Sequence, residues 1–486
     1  MSLLDLIEQK QNTRNFAPLL FKVLPLNNSQ KQAIKEVEKN TLTTVIGAAG
    51  TGKSSLITAL ASHFIMTGRK VLVVSKSDHA TDVICDKLNN LGAGLVALRG
   101  GRQDSQVKMA SRLMDLLENK VDLSNNDKTN ILKYLFNQDE KTARGLLKTY
   151  RNNSLKELLS NYENRKNLLI QSKSCLTKKK SQRDKIMKTI DFKPILTAFP
   201  CVCATTMEIS NILPLQKEMF DIVIADESSE MDIASFLPCM YRAKKGCVVG
   251  DAKQLRSLNW LEQKKNKSFM TKYEIPADME LVWDYRKNSL FDFAQYYSEK
   301  CIMLDTQYRM PENVFKFNND TFYGGMIKSE KKSKINALCK VFVGGETDKE
   351  KTYNVQECNV IIKDLKKWLN INKNNDKTIA ILSMFNAQVD LITKAVKEEI
   401  GYSDIERHNI HIGTANTAQG NEWDTLFISW VMDNNCKYQS LTFANNPERL
   451  NVITSRGREQ VINYYSKQNL GDCLLGKYLK ECEVRK

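Results

Sequence analysis

Short apolar, β-branched runs recur along the chain, and many are separated by stretches with helical spacing. The first set is TLTTVIG (41–47), VLVVS (71–75), CVCATT (201–206), FDIVIAD (220–226) and CVVGD (247–251). A second set follows: TIAILS (378–383), IHIGTAN (410–416), TLFISWV (425–431) and VINYYS (461–466). Runs this short and this apolar predict parallel strands buried on both faces. Two such clusters predict an α/β chain of two domains that change over near residues 296–305. The expected division is 1–300, 301–475 and a C-terminal tail at 476–486.

The rhythm breaks between about 103 and 193, where strand runs are missing. Leu155, Leu158, Leu159 and Tyr162 fall at helical spacing. Residues 103–190 hold 19 Lys and Arg against 10 Asp and Glu, so this segment supplies nine of the chain's net sixteen positive charges. It predicts a basic helical insertion in the first domain. Two readings stand for it: an arm beside a nucleic-acid channel, with Lys178-Lys179-Lys180 as its most suggestive point, or a solvated helical face.

Composition narrows the class. A chain of 486 residues is long enough for two to four domains of roughly 100–200 residues. Its 42% hydrophobic content argues against global disorder. The opening MSLLDLIEQKQN has acids where a signal peptide is basic, and no run approaches the ~20 apolar residues of a membrane span. Twelve cysteines occur with no C-x-x-C pair, the pattern of reduced thiols in a cytoplasmic compartment, with the nucleus also open. The charge of +16 makes polyanions the first partners to consider, or else reflects a lysine-rich coding bias; composition leaves both open.

The sharpest chemical signal is Gly47-Ala48-Ala49-Gly50-Thr51-Gly52-Lys53-Ser54, which fits G-x-x-x-x-G-K-[ST]. An apolar strand precedes it and a helical pattern beginning at Ser54-Ser55 follows. Glycines allow main-chain N–H groups to curl around phosphate oxygens, and the helix N-terminus adds partial positive charge. Lys53 is expected on the β- and γ-phosphates and Ser54 on Mg²⁺. Asp226 ends a buried strand run, which places it at the sheet edge where it can hold the Mg²⁺ of bound ATP. Glu227 is then placed to orient and deprotonate the attacking water. Asn119-Lys120-Val121-Asp122 has the letters of a guanine-reading motif, but lies in the polar insertion and is read as coincidence. His408-x-x-His411 lacks cysteine or carboxylate partners for a metal and is read as partly exposed polar residues. The five tryptophans are read as packing residues.

The order of the remaining polar elements resembles superfamily 1 helicases, and within them the up-frameshift-like group. The resemblance runs from about residue 24 to 470, broken by the insertion. Leu26-Asn27-Asn28-Ser29-Gln30 is similar to the adenine motif, which implies that Gln30 bonds the adenine edge. Ser77-Asp78-x-Ala80 resembles a backbone-touching element, although Asp78 stands where the family has Asn and a carboxylate repels phosphate. Cys203-Ala204-Thr205-Thr206 resembles a strand-end element whose hydroxyls bind the nucleic acid. Asp226-Glu227-Ser228-Ser229, Gly250-Asp251-x-x-Gln254-Leu255 and Asn288-Ser289-Leu290-Phe291 follow in family order, with Gln254 implied as the γ-phosphate sensor. Gln307-Tyr308-Arg309-Met310 implies Tyr308 on adenine and Arg309 on the phosphates. Ser383-Met-Phe385-x-x-Gln388 resembles T-P-Y-x-x-Q, with a ring but no hydroxyl at Phe385. Gln419-Gly420-Asn421-Glu422 implies Glu422 near the ribose, with Thr417 near the nucleic acid. Arg449 to Arg458 resembles R-L-N-V-x-x-T-R-A-R, which makes Arg456 the arginine finger.

The resemblance thus implies two tandem RecA-like P-loop domains, with ATP hydrolysed by Lys53, Asp226, Glu227, Gln254, Arg309 and Arg456. It implies a motor that moves 5′→3′ along single-stranded DNA or RNA and unwinds duplexes. Ser77, Thr205, Thr206, Phe385 and Thr417 are the implied strand contacts. An ATP-gated single-strand clamp that displaces proteins without much unwinding uses the same motifs and stays open. No zinc module or nuclease constellation accompanies the motifs, so a protein partner supplying targeting or nuclease activity is expected.

Overall fold

The computed structural model describes residues 23–91, 96–100, 139–176, 190–256, 261–346, 352–435 and 438–485, together with 111, 114, 117 and 182. The Lys178–Lys180 cluster, Asn119–Asp122 and Trp260 lie outside the described residues. The chain divides into two units. One contains 1–47, 52–252 and 256–304; the other contains 48–51, 253–255 and 305–486.

The first unit is built on seven strands: β1 (Leu42–Ile46), β2 (Val71–Ser75), β3 (Ala97–Arg99), β4 (Cys201–Thr205), β5 (Phe220–Ala225), β6 (Ala243–Gly250) and β7 (Lys300–Met303). Their order is β3-β4-β2-β5-β6-β1-β7, and every pairing is parallel. Alternate side chains of one strand feed two separate cores. Leu72 and Val74 join one cluster, and Val71 and Val73 join the other. Burial on both faces is why these runs read as continuously apolar instead of alternating.

The insertion contributes to both cores. A helix at Glu140–Ser160 begins at Asp139, whose side chain accepts from Thr142 N–H, and a second helix spans Tyr162–Leu176. Ala143, Leu146 and Leu147 enter one core; Leu155, Leu158 and Leu168 enter the other. Tyr162, expected on the same apolar stripe, instead opens the second helix and stands 69% exposed. These helices therefore pack as part of the domain along their apolar face.

The second unit holds six strands: β10 (Leu338–Phe342), β11 (Ile379–Ser383), β12 (His411–Thr414), β13 (Trp423–Ser429), β14 (Gly457–Tyr465) and β15 (Glu483–Val484). The order is β12-β11-β13-β14-β10-β15, again parallel throughout. A separate parallel pair joins β8 (Thr306–Pro311) to β9 (Lys328–Lys331). Helix Val355–Asn372 lays Ile361, Leu365 and Trp368 against Ile381, Phe427 and Ile462. The expected tail, as far as residue 485, does not trail free. The helix Leu474–Glu481 buries Leu475 and Tyr478, and β15 adds an edge strand beside β10. Both sheets are the parallel, helix-flanked sheets of RecA-like domains, as the two clusters of apolar runs predict.

No helix among the described residues is long and apolar enough to cross a membrane. Ten cysteines of the described residues are free thiols, eight of them buried. His408 corrects the expectation of partial exposure. It is fully buried, its Nδ1 lies 2.8 Å from the Lys377 carbonyl, and its ring packs edge-on against Trp368. His411 stacks on Trp423 instead, and no metal-binding cluster occurs among the described residues.

Candidate nucleotide and nucleic-acid sites

In the first unit β1 runs into Gly47, whose N–H donates to Gly250 O at 3.0 Å, and the chain re-emerges as a helix at Lys53–Met66. Gly52 caps that helix at φ +81°, a left-handed conformation that glycine adopts without steric cost. Ser54 and Ser55 occupy the first turn, where unpaired N–H groups and the helix dipole favour anions. Lys53 Nζ donates to Gly47 O at 3.0 Å, so the ammonium lies over the loop it closes.

Gln30 is reached through a capping box. Asn27 Oδ1 accepts from Gln30 N–H at 2.8 Å, and Gln30 Oε1 accepts from Asn27 N–H at 3.1 Å. With the carbonyl engaged, Nε2 is turned to the P-loop, 2.7 Å from where a Cβ on Gly52 would lie. Gln30 therefore lies against the phosphate loop at Gly52.

Asp226 follows β5, is 3% exposed, and accepts from Glu227 N–H at 2.9 Å. Burial first, and the Glu227 carboxylate second, push its carboxyl up to about 7 against the pull of Lys53. Glu227 itself has φ +51°, a region that a non-glycine residue occupies only when its surroundings enforce it. The enforcement comes from the next residues. Ser228 Oγ donates to Val249 O at 2.7 Å, and Asp251 N–H donates to Ser229 Oγ at 3.2 Å. Gly250 lets Ser228 and Phe291 approach: a Cβ there would meet them at 2.5 and 2.6 Å. Three sequence elements (the acid pair, Gly250-Asp251 and Ser289-Leu290-Phe291) thus converge.

In the second unit the residues expected at the nucleotide form an arginine-centred cluster. Arg456 is 2% exposed, and its Nη2 donates to Gln254 Oε1 at 3.2 Å. Arg309 forms an ion pair with Glu422 and donates to Ser455 O at 3.2 Å. Glu422 also accepts from Arg458 at 2.8 Å. Although burial opposes ionisation, Arg309 and Arg458 hold the Glu422 carboxyl below the usual range. The expected ribose contact is therefore already the hub of two guanidinium groups. Tyr308 N–H donates to Gly50 O at 2.9 Å, while the Tyr308 side chain is 42% exposed.

Gly50 has φ +78°, and a Cβ there would lie 2.6 Å from Arg309 Cβ. Gly50→Ala should accordingly destabilise the protein by about 1–3 kcal/mol and weaken nucleotide binding. Thermal melts with and without nucleotide check this; an unchanged melt with normal nucleotide stabilisation contradicts it.

The expected strand contacts fall at strand ends. Ser77 Oγ caps the helix Asp78–Asn89 by accepting from Ala80 N–H. Asp78, the departure from the family pattern, pairs at 2.8 Å with Arg99, a guanidinium it shares with Asp82 at 2.6 Å. Thr205 and Thr206 are buried beside β2, with Thr205 Oγ1 donating to Glu208 at 2.9 Å. In the second unit, Thr417 Oγ1 accepts from Thr414 N–H at 3.0 Å. Phe385 is only 8% exposed and packs on Phe443, whose other neighbour is the Arg449 guanidinium 3.9 Å from its ring centroid. Phe443 lies in the short helix Tyr438–Ala444, outside every motif, so no local signal marks it.

A buried carboxyl beside this surface also escaped it. Glu357 Oε2 accepts from Ser429 Oγ (2.6 Å) and Val431 N–H (3.1 Å), and Oε1 from Ser466 Oγ (2.7 Å). Gln388 joins the network through Asn354 and Ser429. Val431 has φ +58°, an outlier for a β-branched residue, and Glu357 holds its N–H. Burial pushes the Glu357 carboxyl from 4.5 up to about 7. The native state therefore favours the protonated form. That contribution is complete below pH 4.5 and is lost as pH rises to about 7, a difference of about 3 kcal/mol. Glu357→Gln keeps a neutral side chain and should flatten this part of the curve. Melting temperatures from pH 4 to 8 check it, and parallel curves for both proteins contradict it.

Two family models, each described as AAA domain, match residues 25–259 and 286–464. "DNA polymerase alpha-associated DNA helicase A" of Saccharomyces cerevisiae is 24% identical over 97% of this chain and 70% of its own length. "Regulator of nonsense transcripts 1" of Dictyostelium discoideum is 23% identical over 89% of this chain, which spans only 30% of that protein. A solved arterivirus helicase, nonstructural protein 10 in complex with DNA, superposes with a TM-score of 0.40 at 9% identity, covering 93% of this chain and 65% of that one. The P-loop, the acid pair and the two parallel sheets define a P-loop ATPase of the tandem RecA-like class. Within that class, the chain belongs to the superfamily 1 helicases of the up-frameshift-like group.

Proposed function

We propose that this protein is an Mg²⁺-ATP-driven motor that moves along single-stranded nucleic acid, 5′→3′, and separates duplexes. The observation that carries this reading is that the chain holds both halves of a phosphoryl-transfer site. It has a phosphate loop leading into the helix Lys53–Met66 and an acid pair at the end of β5. Two guanidinium groups, Arg309 and Arg456, are held by Glu422 and Gln254 in the second unit. Phosphoryl transfer needs little covalent chemistry from the protein but much positioning and charge compensation.

Lys53 and the loop amides bind the β- and γ-phosphates. Glu227 orients the water and takes its proton. Arg456 and Arg309 offset the charge that develops on the γ-phosphoryl oxygens. Ser54 and Asp226 offer the hard oxygen ligands that Mg²⁺ requires, and a buried carboxyl pushed up by burial and a neighbouring acid suits a divalent cation. A Mg²⁺ held by these residues would neutralise charge on the phosphate oxygens. Gln254 donates no charge, but its bond to Arg456 makes it the positioning residue for the guanidinium.

On the nucleic-acid side, Ser77, Thr205, Thr206 and Thr417 supply hydroxyls, and Phe385, itself buried, backs the exposed ring of Phe443, a set that contacts backbone and bases without reading sequence. Arg449 extends it. Such contacts distinguish DNA from RNA poorly, and binding should weaken steeply with salt. The decisive experiment measures phosphate release without nucleic acid, with single-stranded DNA and with single-stranded RNA. Strand displacement on 5′- and 3′-tailed duplexes then uses the better activator. Stimulation with displacement of the 5′-tailed substrate is expected. Stimulation without displacement reassigns the protein as an ATP-gated clamp, and no stimulation by either polymer overturns the motor.

A further inference from the structure

The second unit contains a cavity that none of the nucleotide or nucleic-acid elements uses. It measures about 360 Å³, at the lower end of the range of about 300–1,000 Å³ for ligand pockets. It lies between the C-terminal end of the helix Val355–Asn372, the segment 334–337 that leads into β10, and residues of β13 and β14. Trp368 and Phe427 form part of its floor, 8% and 1% exposed, and Trp368 Nε1 is already committed to Thr425 Oγ1 at 3.0 Å.

Its rim combines two features. Ile335 and Ile371 line it while being 84% and 79% exposed, and they are the two most exposed large aliphatic side chains among the described residues. Four cations also line it: Lys334, Lys367, Lys377 and Arg485. Lys377 pairs with Glu459 at 2.7 Å, and Arg485 and Lys367 share Asp364 at 2.7 and 3.4 Å. Glu483 Oε2 accepts from Asn336 N–H beside them at 3.1 Å, so four positive charges face three carboxylates.

We propose that this cavity docks a short acidic segment of a partner protein, an apolar side chain entering the pocket between Ile335 and Ile371 with flanking Asp or Glu residues beside Lys334 and Lys367. Burying isoleucine surface supplies the affinity, and the surplus positive charge selects an acidic partner and speeds encounter. A nucleic-acid strand fits less well. It stacks bases on exposed rings along a continuous basic track, whereas the aromatic rings here are floor residues buried beneath the aliphatic rim.

The test is fluorescence anisotropy with the whole chain and a fluorescein-labelled peptide, Asp-Glu-Leu-Phe-Asp-Glu, against its charge-reversed counterpart Lys-Arg-Leu-Phe-Lys-Arg. Saturable binding of the acidic peptide is expected, with Kd on the order of 10⁻⁵–10⁻⁴ M. Ile371→Asp and the double variant Lys334→Glu, Lys367→Glu should each weaken it about tenfold or more while ATP turnover stays unchanged. All three positions are at the surface, so folding should survive; melting curves check that. Failure to saturate, equal binding of the two peptides, or equal affinity in the variants overturns the proposal. So does displacement by a thymidine oligonucleotide whose own affinity falls in the same variants, because the patch then belongs to the strand track. None of these outcomes depends on whether the protein unwinds duplexes.

Discussion

Arg456→Ala should lower ATP turnover by about 10³–10⁵-fold, the contribution typical of a guanidinium that offsets charge in phosphoryl transfer. This side chain also has structural work. It donates to Val452 O (2.9 Å), Asn421 O (3.4 Å), Gln254 Oε1 (3.2 Å) and Ser455 Oγ (3.3 Å) from a site 2% exposed. Truncation leaves those acceptors short of donors, at about 1–3 kcal/mol for each group left unsatisfied in the interior. A second variant separates the two roles. Arg456→Lys keeps the charge but loses the planar fork that serves several acceptors at once. It should fold better than the alanine variant yet remain far slower than the parent. Single-turnover phosphate release, read beside melting temperature, checks both. A folded lysine or alanine variant that turns over at the parental rate removes Arg456 from the catalytic set.

Glu227→Gln is expected to reduce turnover by about 10²–10⁴-fold without abolishing nucleotide binding, because a general base acts on the transition state and contributes little to ground-state affinity. The exchange is nearly isosteric, and the left-handed conformation at this position is imposed by Ser228 and Ser229 whichever side chain is present. Loss of fold is therefore not the expected cause of any defect. Phosphate release with saturating nucleic acid and titration with a fluorescent nucleotide measure the two effects. Normal turnover in this variant would reassign the base, whereas parallel loss of binding would point to a structural role.

Legibility of the fold followed burial. Most strands legible in the sequence are buried on both faces: Val71–Ser75, Ile379–Ser383 and Trp423–Ser429 are buried nearly throughout, whereas His411–Thr414 is half-buried at three of its four positions. The strands that were missed are short, marginal or partly exposed. Lys300–Met303 has two exposed residues at the edge of its sheet, and Glu483–Val484 is exposed at both positions. Leu338–Phe342 mixes lysine with apolar residues because its far end approaches solvent. Their pairing depends on a neighbouring strand, which local sequence does not encode.

The sequence by itself determined the local chemistry: a phosphate loop between strand and helix, two adjacent acids at a strand end, and the order of the motifs that follow. Those signals are legible because one short segment must supply all the necessary backbone geometry, and only glycine, lysine and a hydroxyl residue satisfy it. Tertiary structure alone decided the partners. Arg456 meets Gln254 across 202 residues of sequence, Glu422 is held between two arginines, and Glu357 closes a network from Asn354 to Ser466. Charge compensation and hydrogen bonding act over a few ångströms in space whatever the separation along the chain, so these pairings emerge only when the parallel strands bring distant segments side by side.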